Sequence, residues 1–165
     1  MVRKVDELGR VVIPKEMRRI LNIKTGSSIE MSINSANQVV LKKFSELANI
    51  LSMADALVGV VFDTFSVPCF LCDDESVLCL RGLAKKEFFE KKVNSINLSQ
   101  NNCQCILVSS IVCGLQSDEN CTPFKISSEG FEIGYLVLIH NSEIEKSVKS
   151  SIELLLKLFS NLASF

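Results

Sequence analysis

Val2-Arg3-Lys4-Val5-Asp6-Glu7-Leu8-Gly9-Arg10-Val11-Val12-Ile13-Pro14-Lys15-Glu16-Met17-Arg18-Arg19 is the stretch whose reading decides the amino-terminal half of this chain. Val2 to Val5 and Val11 to Ile13 are short β-branched runs on either side of Asp6-Glu7-Leu8-Gly9-Arg10, where Gly9 can take the positive φ of a tight turn. The pattern predicts strand, turn, strand. Pro14 presets φ for a first helical turn, and Met17, Ile20 and Leu21 then recur at i, i+3, i+4 within Lys15 to Leu21, which predicts one short helix. Asn22 stands where a left-handed cap is wanted, and Gly26 in Lys24-Thr25-Gly26-Ser27 marks the next turn. Ile29, Met31 and Ile33 alternate with polar residues, the chain reverses at Asn34 to Asn37, and Val39 to Leu41 return before Lys42-Lys43. The first 44 residues therefore read as a ββαββ unit.

A unit of that size lies close to the limit, about 40 residues, below which a chain needs a metal, a disulfide or a partner subunit to hold a core. A partner is the expectation here. Two copies can interleave their hairpins so that each closes the apolar edges the other leaves open.

Charge divides the chain at the same place. Residues 1–44 carry nine basic side chains (Arg3, Lys4, Arg10, Lys15, Arg18, Arg19, Lys24, Lys42 and Lys43) against four acidic ones, a net +5, whereas residues 45–165 carry nine basic and fifteen acidic groups, a net −6. A basic segment joined to an acidic one points to two tasks, one of them contact with a polyanion. Arg18 and Arg19 point away from the Met17/Ile20/Leu21 face, Arg3 and Lys4 lie in the first strand, and Arg10 closes its turn. A solvated charged face accounts for these residues as simply as a nucleic-acid surface does. Four of the five are arginine, whose planar fork suits phosphate oxygens and guanine edges better than an ammonium.

Val2 to Arg19, continuing through Leu21-Asn22-Ile23 to Val39-Val40-Leu41-Lys42-Lys43, closely resembles the DNA-binding domain of the AbrB-type transition-state regulators. The resemblance implies an intertwined swapped-hairpin β-barrel made by two chains. It also implies that Arg3, Arg10, Arg18 and Arg19 contact duplex DNA with Lys4 beside them, while the site of Lys15 is not reliably basic in relatives. This sequence departs from the family's pattern twice: relatives begin several residues before the position of Val2, and Asn22 stands where glycine is common.

In the acidic half, Ser45-Glu46 opens a helical pattern with Leu47, Leu51, Ala54, Leu57 or Val58, and Val61 on one face. The connection after Lys43 is too short for free movement, so this helix is expected to carry orientation from one half to the other. Ser142 and Glu145 match a capping box ahead of a helix bearing Ile144, Val148, Ile152, Leu155, Phe159 and Leu162. Between these helices, Val67–Cys72 and Ser76–Leu80 flank Asp73-Asp74-Glu75 as a hairpin, and Leu83 to Val93 has a helical pattern. Residues 94–113 fit strand or helix, and Thr122–Ser127 with Phe131–His140 form a second hairpin around Ser128-Glu129-Gly130. An antiparallel sheet with terminal helices on one side is the predicted layering, so the chain as a whole is α+β. This order of elements, with Gly134-Tyr135-Leu136-Val137-Leu138 as a late strand, resembles a GAF domain, a module for small-molecule binding or protein interaction. The two terminal helices could pair with their copies as a four-helix bundle, or cover the sheet of their own subunit. Together the halves resemble AbrB-type regulators that carry a GAF-like domain. That resemblance implies a cytoplasmic transcription factor of the developing spore, acting as activator and repressor and assembling as a dimer of dimers through residues 45–165.

Other chemistries are weaker. The apolar runs Cys105–Leu115 and Ile133–Ile139 are far shorter than the roughly 20 residues that span a bilayer, and the charged start Arg3-Lys4 with Asp6-Glu7 does not read as a signal peptide. Reduced thiols are therefore expected for the seven cysteines. Cys69-x-x-Cys72, Cys79 and Cys103-x-Cys105 invite a zinc reading, but Cys69 and Cys72 fall on alternate faces of a predicted strand, where a small buried apolar side chain is the better account. His140, the single histidine, has no acid or nucleophile near it in sequence, and no phosphate-cradling loop or hydrolase motif is present, so neither an enzyme nor a cofactor is expected. A rival reading is an antitoxin built on the same DNA-binding fold, although 121 residues rich in apolar side chains exceed the short flexible tail such a protein carries. A metabolite-binding module with an incidental basic face is the third.

Overall fold

The structure, a computed structural model, describes residues 2–21, 23–128 and 130–163. The chain divides into two compact units, Met1–Phe44 and Ser45–Phe165. The cap expected at Asn22 and the Glu129 position of the second hairpin turn lie outside the described residues.

In the first unit, helix α1 (Lys15–Ile20) is followed by strands β1 (Ile29–Ile33) and β2 (Val39–Lys43), which pair antiparallel with Ile33 opposite Val39 and Ile29 opposite Lys43. Asn34 builds the turn between them. Its side-chain oxygen accepts the N–H groups of Ala36 and Gln38, both at 3.0 Å, and Asn37 takes the left-handed φ of 59°. Pro14 sits just before α1 as its cap residue, with ψ at 150°, and not within the first turn. The strands expected over Val2–Val5 and Val11–Ile13 form no ladder: these segments are extended arms joined by a turn. A strand needs a neighbour for its backbone groups, and a single chain supplies none here. In the same chain Val2, Val5, Val11, Val12, Ile20 and Met31 are all exposed.

The second unit is a five-stranded antiparallel sheet in the order β4-β3-β7-β6-β5. Its elements are α2 (Glu46–Asn49), α3 (Leu51–Phe65), β3 (Cys69–Cys72), β4 (Val77–Arg81), α4 (Lys85–Phe88), α5 (Ser95–Gln100), β5 (Ile106–Leu107), β6 (Asn120–Ser128), β7 (Phe131–His140) and α6 (Lys146–Ala163). Alternation along the strands sorts the core into two layers. Leu71, Phe124, Ile126, Leu136 and Leu138 face α3 and α6, meeting Leu57, Val58, Val61, Ile152, Leu156 and Phe159. Phe70, Cys121, Tyr135, Val137 and Ile139 face the long connection between β4 and β6, meeting Phe88, Leu98, Val108 and Ile111. Burial on both faces explains why β7 reads as a continuous apolar run.

Several expected boundaries shift for local reasons. The amino-terminal helix of this unit breaks at Ile50 into α2 and α3, and Ser45 caps α2 through Ala48 N–H at 3.3 Å. The helix expected over Leu83–Val93 is confined to Lys85–Phe88, because Glu90 turns left-handed at φ 59° and residues 90–91 bond back to Val77. In residues 94–113 helix and strand both occur, as α5 and β5. Ser142 and Glu145 make no capping box, since α6 starts at Lys146 and the Glu145 carboxylate instead accepts the Ser147 hydroxyl at 3.2 Å. Leu155 packs against the core as expected and Leu156 is buried in it, while Leu162 is exposed, as are Leu154 and Leu158.

Candidate nucleic-acid interface

Arg3 and Lys4 lie on the first extended arm, Arg10 at the far side of the turn, and Arg18 and Arg19 in the last turn of α1; all five side chains are exposed. The turn between the arms is closed by backbone bonds from Asp6 N–H to Arg10 O and from Gly9 N–H to Asp6 O, both 3.0 Å, with Gly9 at φ 75°. Asp6 Oδ1 accepts the N–H groups of Leu8 at 3.0 Å and Arg10 at 2.8 Å, while its Oδ2 accepts Arg10 Nε at 2.9 Å. The Arg10 backbone and then its guanidinium hold the Asp6 carboxyl below the usual carboxylate range. Arg10 is thus anchored at Nε, which leaves its terminal nitrogens to act as donors. This anchor was not anticipated from the residues. An Asp three positions before a turn glycine was the available signal, and the Asn34–Asn37 turn repeats it.

Helix α1 is short and buries none of its own residues: Met17 is 45% and Ile20 81% exposed, so the stripe expected to face a core faces solvent in one chain. Arg18 N–H bonds Pro14 O at 2.9 Å and Ile23 N–H bonds Arg18 O at 2.7 Å, fixing the backbone from which Arg18 and Arg19 project. Arg18 and Arg19 thus stand on α1, while Arg3, Lys4 and Arg10 stand on the arms and their turn; among the described residues no hydrogen bond or ion pair joins the two sets.

Residues 2–44 match the model of the family described as antidote-toxin recognition MazE, bacterial antitoxin. The amino-terminal unit carries a MazE/AbrB-type domain. Over 44 residues, 27% of this chain and 45% of its relative, this domain is 50% identical to the transition state regulatory protein AbrB of Bacillus subtilis (strain 168). The likeness extends beyond the MazE/AbrB-type domain. The chain is 29% identical over 150 residues to stage V sporulation protein T of the same organism, covering 87% of this chain and 84% of that protein.

Of the cysteines in the zinc reading, Cys69, Cys72 and Cys79 are buried, whereas Cys103 is half-buried and Cys105 exposed. Cys69 lies in the helix-side core layer and Cys72 in the opposite one, on alternate faces as the strand reading requires. Burial pushes the thiols of Cys69, Cys79 and Cys121 up to about 12. Among the described residues no group of three or more His, Cys, Asp or Glu is placed to hold a metal. His140 closes β7 with Nε2 at 2.9 Å from the buried Thr122 Oγ1. No described helix is long and apolar enough to cross a membrane.

Proposed function

We propose that this protein is a cytoplasmic DNA-binding transcriptional regulator of sporulation genes, able to activate and to repress, that grips duplex DNA with Arg3, Lys4, Arg10, Arg18 and Arg19 of a swapped-hairpin dimer. The observation that carries the reading is the MazE/AbrB-type domain over residues 2–44, with these cations exposed on its arms and helix. The sporulation role rests on the likeness to stage V sporulation protein T along most of the chain. Two extended arms without a ladder, bearing exposed valines, support the dimer: a second chain would supply both the hydrogen-bond partners and the apolar cover. Among the described residues of the amino-terminal unit the helix, α1, has only six residues, so DNA shape and deformability would supply much of the selectivity.

Residues 45–165 serve on this reading as a GAF-like module for assembly or sensing. An antiparallel sheet with α3 and α6 on one face supports it. Leu154, Leu158 and Leu162, at i, i+4, i+8 and exposed on α6, offer an apolar seam through which two dimers would join as a tetramer. A second reading, an antitoxin, is favoured by the description of the matched family. The test is DNA binding of the full chain to sporulation-promoter DNA at two salt concentrations, with light scattering of the free protein. Salt-sensitive binding by an even-numbered oligomer is expected. A monomer indifferent to duplex DNA would overturn the reading, and tight capture of a toxin that relieves autoregulation would replace it with the second.

A further inference from the structure

A groove of about 370 Å³ lies beside β4, an edge strand of the five-stranded sheet, within the roughly 300–1,000 Å³ range of small-molecule sites. Helix α3 forms one wall with Leu51 and Asp55, and α4 with the residue after it forms the other with Lys85 and Phe89. Between them β4 supplies Leu78, the buried Cys79 and Arg81. The strand edge offers little to an added strand: Val77 N–H donates to Lys91 O at 3.0 Å, Val77 O accepts Glu90 N–H at 3.1 Å, and Leu80 O accepts Arg81 Nη1 at 2.9 Å. What the groove still offers is therefore side-chain chemistry.

Arg81 Nη1 donates to Asp55 Oδ1 at 2.8 Å as well as to Leu80 O, and Nη2 donates to Asp55 Oδ2. Three of the five guanidinium N–H groups are thus engaged. The Nε–H and the second Nη2–H, side by side on one edge of the fork, enter no hydrogen bond among the described residues. That edge has the spacing of the two oxygens of a carboxylate. Arg81 first, and Lys85 after it, hold the Asp55 carboxyl below the usual carboxylate range, so Asp55 stays charged and balances Arg81. Nothing in the groove balances Lys85, whose ammonium stands 4.7 Å over the Phe89 ring, and the Cys79 thiol, pushed up to about 12 by burial, adds no charge. Leu51 and Phe89 leave 44% and 36% of their surface open on the two walls. An unused two-donor edge, a surplus of one positive charge and facing apolar walls together match a carboxylate with an apolar body.

We propose that this groove binds a small organic monocarboxylate, its two oxygens on the Nε edge of Arg81 with Lys85 beside them and its apolar part between Leu51 and Phe89. The inference rests on the sensing reading of residues 45–165 and deepens it with a site and a ligand class. Calorimetry of the full chain with isovalerate, hexanoate and phenylacetate, and with phenylacetamide as the neutral isostere, tests it. At least one carboxylate should bind and phenylacetamide should not. Lys85→Met, which removes the surplus charge, and Arg81→Lys, which keeps the charge and loses the two-donor edge, should each weaken binding by about tenfold or more. Asp55→Asn should instead tighten binding, because it removes the one negative charge and keeps an oxygen to accept from Arg81. Lys85 is exposed, so Lys85→Met carries the test even where Arg81→Lys fails to fold. No binding of any carboxylate, equal binding of the amide, or unchanged affinity in Lys85→Met overturns the site. Binding that depends on Lys85 but leaves DNA affinity and oligomeric state unchanged keeps the site and refutes the sensing role.

Discussion

Arg10 Nε lies 2.9 Å from Asp6 Oδ2, and the other oxygen of the same carboxylate accepts the N–H groups of Leu8 and Arg10. One acidic side chain therefore shapes the turn and aims the guanidinium at its tip. Asp6→Asn keeps an acceptor for the two backbone N–H groups but loses the ion pair, whereas Asp6→Ala loses both. Affinity for DNA is expected to fall in the order wild type, Asp6→Asn, Asp6→Ala, even though a negative charge has been removed from a basic face. The pH response has a definite sign. The Asp6 carboxyl is lowered in the folded chain, so its contribution is fully present above the ordinary carboxylate value of about 3.9 and is lost as pH falls toward the folded value. The Arg10 Nε–H proton resonance, followed by NMR, should hold its position from neutral pH down to about 5 and move below that.

Arg10→Ala and Arg18→Ala should each abolish DNA binding at moderate salt while light scattering shows the oligomer unchanged. If all ten cations of a dimer met phosphates, the log–log salt slope would be about −9, an upper bound at about −0.9 per contact. The measured slope is expected to be smaller, and each single substitution should reduce it by about one contact per chain. Full affinity in Arg18→Ala would remove α1 from the interface.

Gly134 on β7 has no room for a side chain: a Cβ there would fall against Leu47 Cδ1 and the Cys72 carbonyl oxygen. Leu47 is fully buried in α2, and the carbonyl belongs to a paired strand, so neither neighbour yields cheaply. Gly134→Ala should destabilise residues 45–165 by about 1–3 kcal/mol, the usual cost of overpacking, read as a lower denaturant midpoint. Gly59→Ala on α3, where a Cβ meets nothing within 4 Å, is the control and should be neutral or stabilising.

His140 ties β7 to Thr122, and burial, helped by Lys149, lowers its pKa below the ordinary value. Above about pH 6.5 the ring is neutral both folded and unfolded, and it costs nothing. As pH falls below that, the unfolded chain takes up the proton first, so stability declines until pH reaches the folded value and then levels. Thermal unfolding between pH 7.5 and 5 should show this decline in the wild type and lose it in His140→Gln. With one histidine in the chain, no second ring can mask the effect.

What residue order alone determined is what nearest neighbours along the chain control. Gly9 and the Asn34–Asn37 stretch predict turns because only a few residue types reach positive φ cheaply, and Met17/Ile20/Leu21 spell a helix because its period is local. The strand pattern likewise placed Cys69 and Cys72 on opposite faces without any knowledge of what covered them. Tertiary structure alone decided the rest. Val2–Val5 forms no strand because no described segment of the chain pairs with it, and helical periodicity in Leu83–Val93 yields to the bonds of residues 90–91 with Val77. Pairing of Arg10 with Asp6, the α6 start at Lys146 and the groove between α3 and β4 likewise arise from three-dimensional contact, because side-chain bonds and close packing outweigh propensities worth well under 1 kcal/mol per residue.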